Sequence, residues 1–467
     1  MKILVICSEN YSAGNSPLAM AVSGIVYGYR QQGAQVLGFS PFFNQFTDEK
    51  DYEPSQKFTE KLGNREYRVL KKLPNENDLL IRYDDYFGRA GIYSNPNERA
   101  YDDNHLRFSF LASAALNYCA ETNFKPDAIH VHDWSGIAGA LTKTVYKGYF
   151  ENTPVLLTVH SIRYDCQFDP SDIYKIGLPA EGFDIDGYEF WGKVSMLKVA
   201  ILYSDKVVLT SASYLFFLLA ADLPGGMRDF LESQRKKLFS IQSGIDRKKW
   251  YAHKEENFKQ QKKDALRAEL HLAADSSMLV YTQLDSYSGN PAQVISTIMA
   301  NLLNMNLQLI IGIPENDDNY PYFVTIQEEH SDKIALLPLN KNDDDFYNRL
   351  VASDVFLSIN TNEPSLSLFL KAAAAGSIPL YNKRSQRPFI YTISFDPSSE
   401  ELAGKTNAFV SEDGSPELIL EQIRYAESIF HENKTLWGKI VENARSTEVS
   451  WEDAAKNYLL LLNTPGL

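Results

Sequence analysis

The residues best suited to chemistry stand just after apolar runs. "AIHVHDWSG" closes with His130, His132, Asp133 and Trp134, "VLLTVHSIRYDCQF" with His160 and Ser161, and "DVFLSI" is followed by Glu363 in "NEPSLSLFLKAAAAGSIP". A His-x-His-Asp cluster at a strand end suits a metallohydrolase, though such a centre would need further ligands from elsewhere. The same cluster suits sugar recognition, with carboxylate and imidazole for hydroxyl groups and the Trp134 ring for the C–H face of a pyranose. It also suits plain structure, Asp133 capping the next helix and Glu363 meeting a helix dipole. A further stretch, "YTQLDSYSGN", has the form of a strand, a turn and a helix start, the arrangement that often holds phosphate. Its turn carries Gln283, Ser288 and Gly289 but no cation.

These residues need a scaffold that sets strand ends side by side. Runs of four to six apolar residues recur with helical-length segments between them: "ILVIC", "QVLGF", "AIHV", "VLLTV", "KVVLT", then "MLVYT", "LQLIIGI", "KIALLPL" and "DVFLSI". Such runs are strands buried on both faces, and their alternation with helices predicts parallel, doubly wound α/β sheets. At 467 residues the chain is long enough for two cores. The series divides near "SIQSGIDRKKW", which predicts one Rossmann-like domain over 1–245, a second over 246–445, and a closing helix over 446–467 that packs back. Two such domains would face each other across a cleft. The charged stretch "EENFKQQKKD" reads as a solvated helix face.

The balance of 46 basic against 60 acidic residues, a net charge of -14, opposes nucleic acid and anionic membranes as partners. Three scattered cysteines, Cys7, Cys119 and Cys166, give neither a disulfide framework nor a zinc knuckle. No run reaches the roughly 20 apolar residues that span a bilayer. A soluble, cytoplasmic protein is expected.

In order and spacing, "MKILVICSEN", "YFGRAGIYSNPNERAYDDNHLRFSFLASAAL", "PDAIHVHDW", "TVHSIRY", "YEFWGKVSMLKVAILYSDKVV", "SGIDRKKW" and "SWEDAAKNYL" resemble the bacterial glycogen and starch synthases, retaining glucosyltransferases of the GT-B fold. The resemblance implies transfer of glucose from ADP-glucose or UDP-glucose to an α-1,4-glucan, with no metal or other cofactor. By position, Asp133 and His160 would face the transferred sugar, Tyr93 would lie near the donor and Glu363 beside the glucose ring. His132, Trp134, Ser161 and Ser365 would complete the lining.

The departures from the family pattern share a theme. Asn15, with Ser16 and Pro17, stands in the family's Lys-x-Gly-Gly loop; Gln283 and Ser288 replace an arginine and a lysine, with only Gly289 kept; Ser365 and Leu366 replace Cys-Gly. A departing diphosphate needs those cations and open backbone. Lys371, Lys383, Arg384 and Arg387 could compensate, or could simply be solvated. The expectation is therefore a synthase-like pseudoenzyme that binds α-glucan, a maltooligosaccharide or a protein partner. The alternative is an active, divergent transferase.

Overall fold

A computed structural model describes all residues except 13–15, 73–76, 163–164, 221–225, 252–255, 285–289, 340–342, 360–365, 383–405, 448 and 465–467. Two compact units result, one of Met1–Gly244 with Trp451–Leu467, the other of Ile245–Ser450.

The strands of the first unit are β1 (Lys2–Ile6), β2 (Gln35–Pro41), β3 (Tyr52–Thr59), β4 (Glu66–Lys72), β5 (Asp78–Arg82), β6 (Ala128–His132), β7 (Val155–Val159), β8 (Gln167–Phe168), β9 (Glu189–Phe190), β10 (Lys193–Ser195), β11 (Lys206–Leu209) and β12 (Leu238–Ser240). Nine of them form one sheet in the order β12-β11-β7-β6-β1-β2-β5-β4-β3. Pairing is parallel from β12 to β5, and β4 and β3 add an antiparallel edge. The chain goes from β1 to β2 on one side and later returns to place β6 on the other. That makes the β1/β6 boundary a topological switch point, where open α/β sheets hold ligands. Alternate residues serve opposite faces: Leu4 and Ile6 join one apolar cluster, while Ile3 and Val5 join another with Val22, Ile25, Tyr29, Ala454, Ala455 and Tyr458.

The second cluster is closed by the last helix, Trp451–Asn463, lying on helix Pro17–Gln31. Their approach requires glycine. A Cβ at Gly24 would sit 2.3 Å from the Trp451 ring, and one at Gly28 would sit 2.5 Å from the Trp451 carbonyl oxygen.

A small sheet, β8-β10-β9, carries a two-residue hairpin loop, because Phe190 pairs with Lys193. Both loop residues have positive φ, Trp191 at 54° and Gly192 at 76°, the type I′ geometry that favours Asn-Gly. Trp191 is 78% exposed, so burial does not offset its strain. Trp191→Asn is therefore expected to stabilise the first unit by about 1 kcal/mol. A rise in its urea midpoint checks this; no rise would mean that the indole is held by contacts.

The second unit has β13 (Met278–Gln283), β14 (Leu307–Gly312), β15 (Ile334–Leu337), β16 (Val355–Ser358), β17 (Ile378–Asn382) and β18 (Phe409–Ser411). They form one parallel sheet in the order β15-β14-β13-β16-β17-β18, with its switch point between β13 and β16. The charged stretch near Gln261 does form a solvated helix face, with Asn257, Gln260, Gln261 and Asp264 exposed. The same helix, Glu256–Glu269, also turns Lys259, Lys263 and Arg267 to its other side at four-residue spacing, burying Lys263 and Arg267 and half-burying Lys259. Lys263 pairs with buried Asp354. Arg267 donates to Gln308 at 2.8 Å and to the carbonyls of Asp275 and Ser277, each at 2.7 Å. Lys259 donates to the carbonyls of Ser353 and Gly376. These cations can turn inward because carbonyls and a carboxylate receive their long arms.

Candidate functional site

Three neighbouring parallel strands of the first unit, β7, β6 and β1, release the chain at the same end of the sheet. Ser8 and Glu9 follow β1, Asp133 and Trp134 follow β6, and His160 and Ser161 follow β7. The topology thus gathers Asp133, His132 and His160. His132 Nδ1 lies 3.1 Å from His160 Nε2, and Asp133 Oδ1 accepts the His160 backbone N–H at 2.8 Å. Asp133 therefore does not cap its own helix. It clamps the strand end that presents His160, and it does so from a left-handed backbone, φ 46°. Non-glycine residues held there cost about 1–3 kcal/mol and cluster where function demands them.

Burial dominates the electrostatics. It pushes Asp133 up to about 7, opposed by its hydrogen bonds to the backbone of His160 and Ser161 and reinforced by nearby Glu9. Burial also raises Glu9, lowers His160 to about 4, and holds His132 well below the usual imidazole range. The cluster thus joins neutral imidazoles to a carboxyl that titrates near neutrality. Such a set can accept from and donate to sugar hydroxyls.

Glu9 accepts from the Tyr93 hydroxyl at 2.8 Å and from the Ser16 hydroxyl, and Ser8 Oγ lies 2.8 Å from the same tyrosine oxygen. Tyr93 is aimed by a buried scaffold. Asn104 donates to the Tyr93 carbonyl at 2.8 Å, and Arg107 binds the carbonyls of Tyr86 and Ile92 at 2.8 and 2.7 Å. Half-buried Trp134 sets its ring edge-on to Tyr93, with centroids 4.9 Å apart, and packs on Phe108. Part of the indole is therefore a buttress. Glu9 was not singled out from sequence as a lining residue; the signal was a carboxylate three residues past the first strand.

Asp133→Asn removes the charge and keeps an acceptor for the His160 N–H. The folded pKa of Asp133 lies above its unfolded value of about 3.9, so its contribution to stability is full below pH 4 and is lost as pH rises through 7. The gain from the substitution should thus be absent near pH 4 and greatest above 7, on the order of 1–2 kcal/mol after allowance for remaining solvent. Histidine penalties run oppositely, fading as pH rises through about 6.5, and cancel between variant and parent. Urea midpoints at pH 4.5 and 8 test this, and an equal gain at both would refute the desolvated carboxyl.

In the second unit, Gln283 ends β13, and its Nε2 donates to the Tyr281 hydroxyl at 2.7 Å. Leu366 precedes helix Ser367–Ala375 with φ 57°, a left-handed backbone that favours glycine, while its side chain is buried in an apolar cluster. Lys371 holds its ammonium over the Trp250 and Phe346 rings, 5.0 and 5.9 Å from their centroids. Asn15, Ser288, Gly289, Glu363, Ser365, Lys383, Arg384 and Arg387 lie outside the described residues. Among the described residues no group of three or more His, Cys, Asp or Glu side chains is placed to hold a metal ion. Both nitrogens of His130 are occupied, by Tyr29 and Thr158.

The family described as "Starch synthase catalytic domain" matches residues 2–233. A glycogen synthase of Pseudothermotoga lettingae is 26% identical over 98% of both chains, and one of Thermosipho africanus is 28% identical over 82% of this chain and 80% of its own. Residues 2–233 belong to the starch synthase catalytic domain family, and along its length the chain is similar to glycogen synthases. Among solved structures, the catalytic domain of Starch Synthase IV from Arabidopsis thaliana, bound to ADP and acarbose, superposes with a TM-score of 0.85 at 20% identity, covering 99% of this chain and 98% of that one. The chain thus has the GT-B fold. No helix among its described residues is long and apolar enough to cross a membrane.

Proposed function

We propose that this glycogen/starch synthase-like protein binds α-glucan or maltooligosaccharide through the Asp133, His132 and His160 lining and has impaired or lost transfer from nucleotide sugars. The observation that carries this reading is at position 283. A neutral amide, bonded to the Tyr281 hydroxyl, stands where the family places an arginine for the donor phosphate. Diphosphate departure without a metal depends on such cations, and Leu366 adds a side chain where the family has glycine. By contrast, the first unit retains a strained aspartate and three neutral histidines, two of them fully buried, which are costly features to keep without a ligand.

A thermal-shift titration with ADP, UDP, ADP-glucose and UDP-glucose, alongside calorimetry with maltooligosaccharides, tests the reading. Glucan should raise stability by mass action while the nucleotides leave it unchanged. Tight nucleotide binding with glucose incorporation into glycogen would favour the second reading, an active divergent transferase, which the intact Asp133–His160 arrangement supports. A protein partner in place of glucan would leave both ligand classes silent. The three reduced cysteines suit a cytoplasmic working place.

A further inference from the structure

We propose that Tyr458, on the last helix, is a positioning residue for the histidine cluster, its phenolic oxygen setting which nitrogen of His130 carries the proton. The connection is a buried file of hydrogen bonds. Thr158 Oγ1 donates to the Tyr458 hydroxyl at 3.1 Å across 300 residues of sequence. His130 Nε2 lies 2.8 Å from Thr158 Oγ1, and His130 Nδ1 lies 3.0 Å from the Tyr29 hydroxyl. A threonine hydroxyl has one hydrogen. With that hydrogen given to Tyr458, the Thr158 oxygen can only accept from His130. Nε2 therefore holds the imidazole proton, and Nδ1 accepts from Tyr29.

This arrangement reaches the His132–His160 pair through tilted ring contacts, each at an interplanar angle of 40°. The His130 ring lies 4.3 Å from the His132 ring, which lies 5.3 Å from that of His160. His130 is thus pinned at both nitrogens and backs the pair that the strand ends present. Its ring cannot turn over without losing both bonds. The sequence offered no sign of this, since Tyr29, Thr158 and Tyr458 are common core hydroxyls far apart in the chain.

Tyr458→Phe removes one oxygen and keeps the ring packed against Tyr29 and His130, now at centroid distances of 6.3 and 5.0 Å. The freed Thr158 hydroxyl should then donate to Nε2, and the proton should move to Nδ1, facing Tyr29. Long-range nitrogen–proton spectra of 15N-histidine-labelled full-length protein read this directly. The expected result is an Nε2–H pattern for His130 in the parent and an Nδ1–H pattern in Tyr458→Phe, with displaced His132 and His160 resonances. Thr158→Val interrupts the file from its other side and should give the same tautomer change. Adding Tyr458→Phe to it should change nothing more.

The second readout rests on the glucan-binding reading above: maltooligosaccharide affinity should fall three- to tenfold in either variant. Unchanged His130, His132 and His160 signals in both variants overturn the proposal. A tautomer change in a protein that binds no glucan supports it and rejects the binding reading alone. If Tyr458→Phe fails to fold, Thr158→Val decides by the same spectra.

Discussion

Installing arginine at position 283 together with lysine at 288 is expected to accelerate glucose transfer from ADP-glucose to glycogen by about 10⁴. One well-placed donor to a developing anion contributes about 3–4 kcal/mol, and each 1.36 kcal/mol is tenfold in rate, so two approach that factor even with imperfect placement. Gln283 already ends β13, on the central side of the switch point, and its amide reaches the Tyr281 hydroxyl. An arginine would extend further and bring five donors in place of one amide. Initial rates of labelled glucose incorporation, measured for the parent, both single variants and the double, separate the possibilities. The singles should fall between parent and double. A parent within tenfold of the double would show that the unmodified chain is a working transferase; a double as idle as the parent would show that the missing cations are not the obstacle.

Lys263→Ala should cost the second unit about 3–5 kcal/mol. Asp354, just before β16, accepts from Lys263 and also from the Leu279 backbone N–H of β13 at 2.8 Å. The pair therefore fastens the two strands that flank the switch point. Both side chains are buried, 6% and 5% exposed, and burial lowers the Lys263 pKa even beside its partner. Removing the lysine strands a carboxylate in a poorly solvated place, which is the costly half of breaking such a pair. Replacing both residues together, Lys263→Met with Asp354→Leu, should cost far less, because no charge is then left behind. Urea unfolding followed by tryptophan fluorescence reads the second unit through Trp250 and Trp437. A loss under 1 kcal/mol for Lys263→Ala would show that water reaches Asp354.

Much of this fold was legible because two-sided burial leaves continuous apolar runs. β1, β2, β6, β7, β11 and β13 to β16 coincide with them. The antiparallel edge was not, because exposed Glu66 and Arg68 alternate with buried Tyr67 and Val69 in β4, and that pattern merges with polar surroundings. β18 spans three residues and β17 contains Pro379, so neither resembled a core strand. In helix Glu256–Glu269 the cation density signalled the solvated face but hid the inward one, whose arms are matched by carbonyls contributed from distant segments. Within the site, Asp133, His132 and His160 were legible as reactive types at strand ends. Glu9 and the hydroxyl file were not, because serine, threonine and tyrosine have many structural uses and only the folded sheet sets them side by side.

The last helix belongs to the unit that begins the chain, so Met1–Gly244 cannot be completed when the ribosome has finished making it. The groove that Ala454, Ala455 and Tyr458 will cover must wait, open, while about two hundred further residues are translated. A nonsense codon near the end of the gene would therefore injure the part of the protein made first. Newly synthesised chains caught at that stage should be the ones that chaperones hold longest.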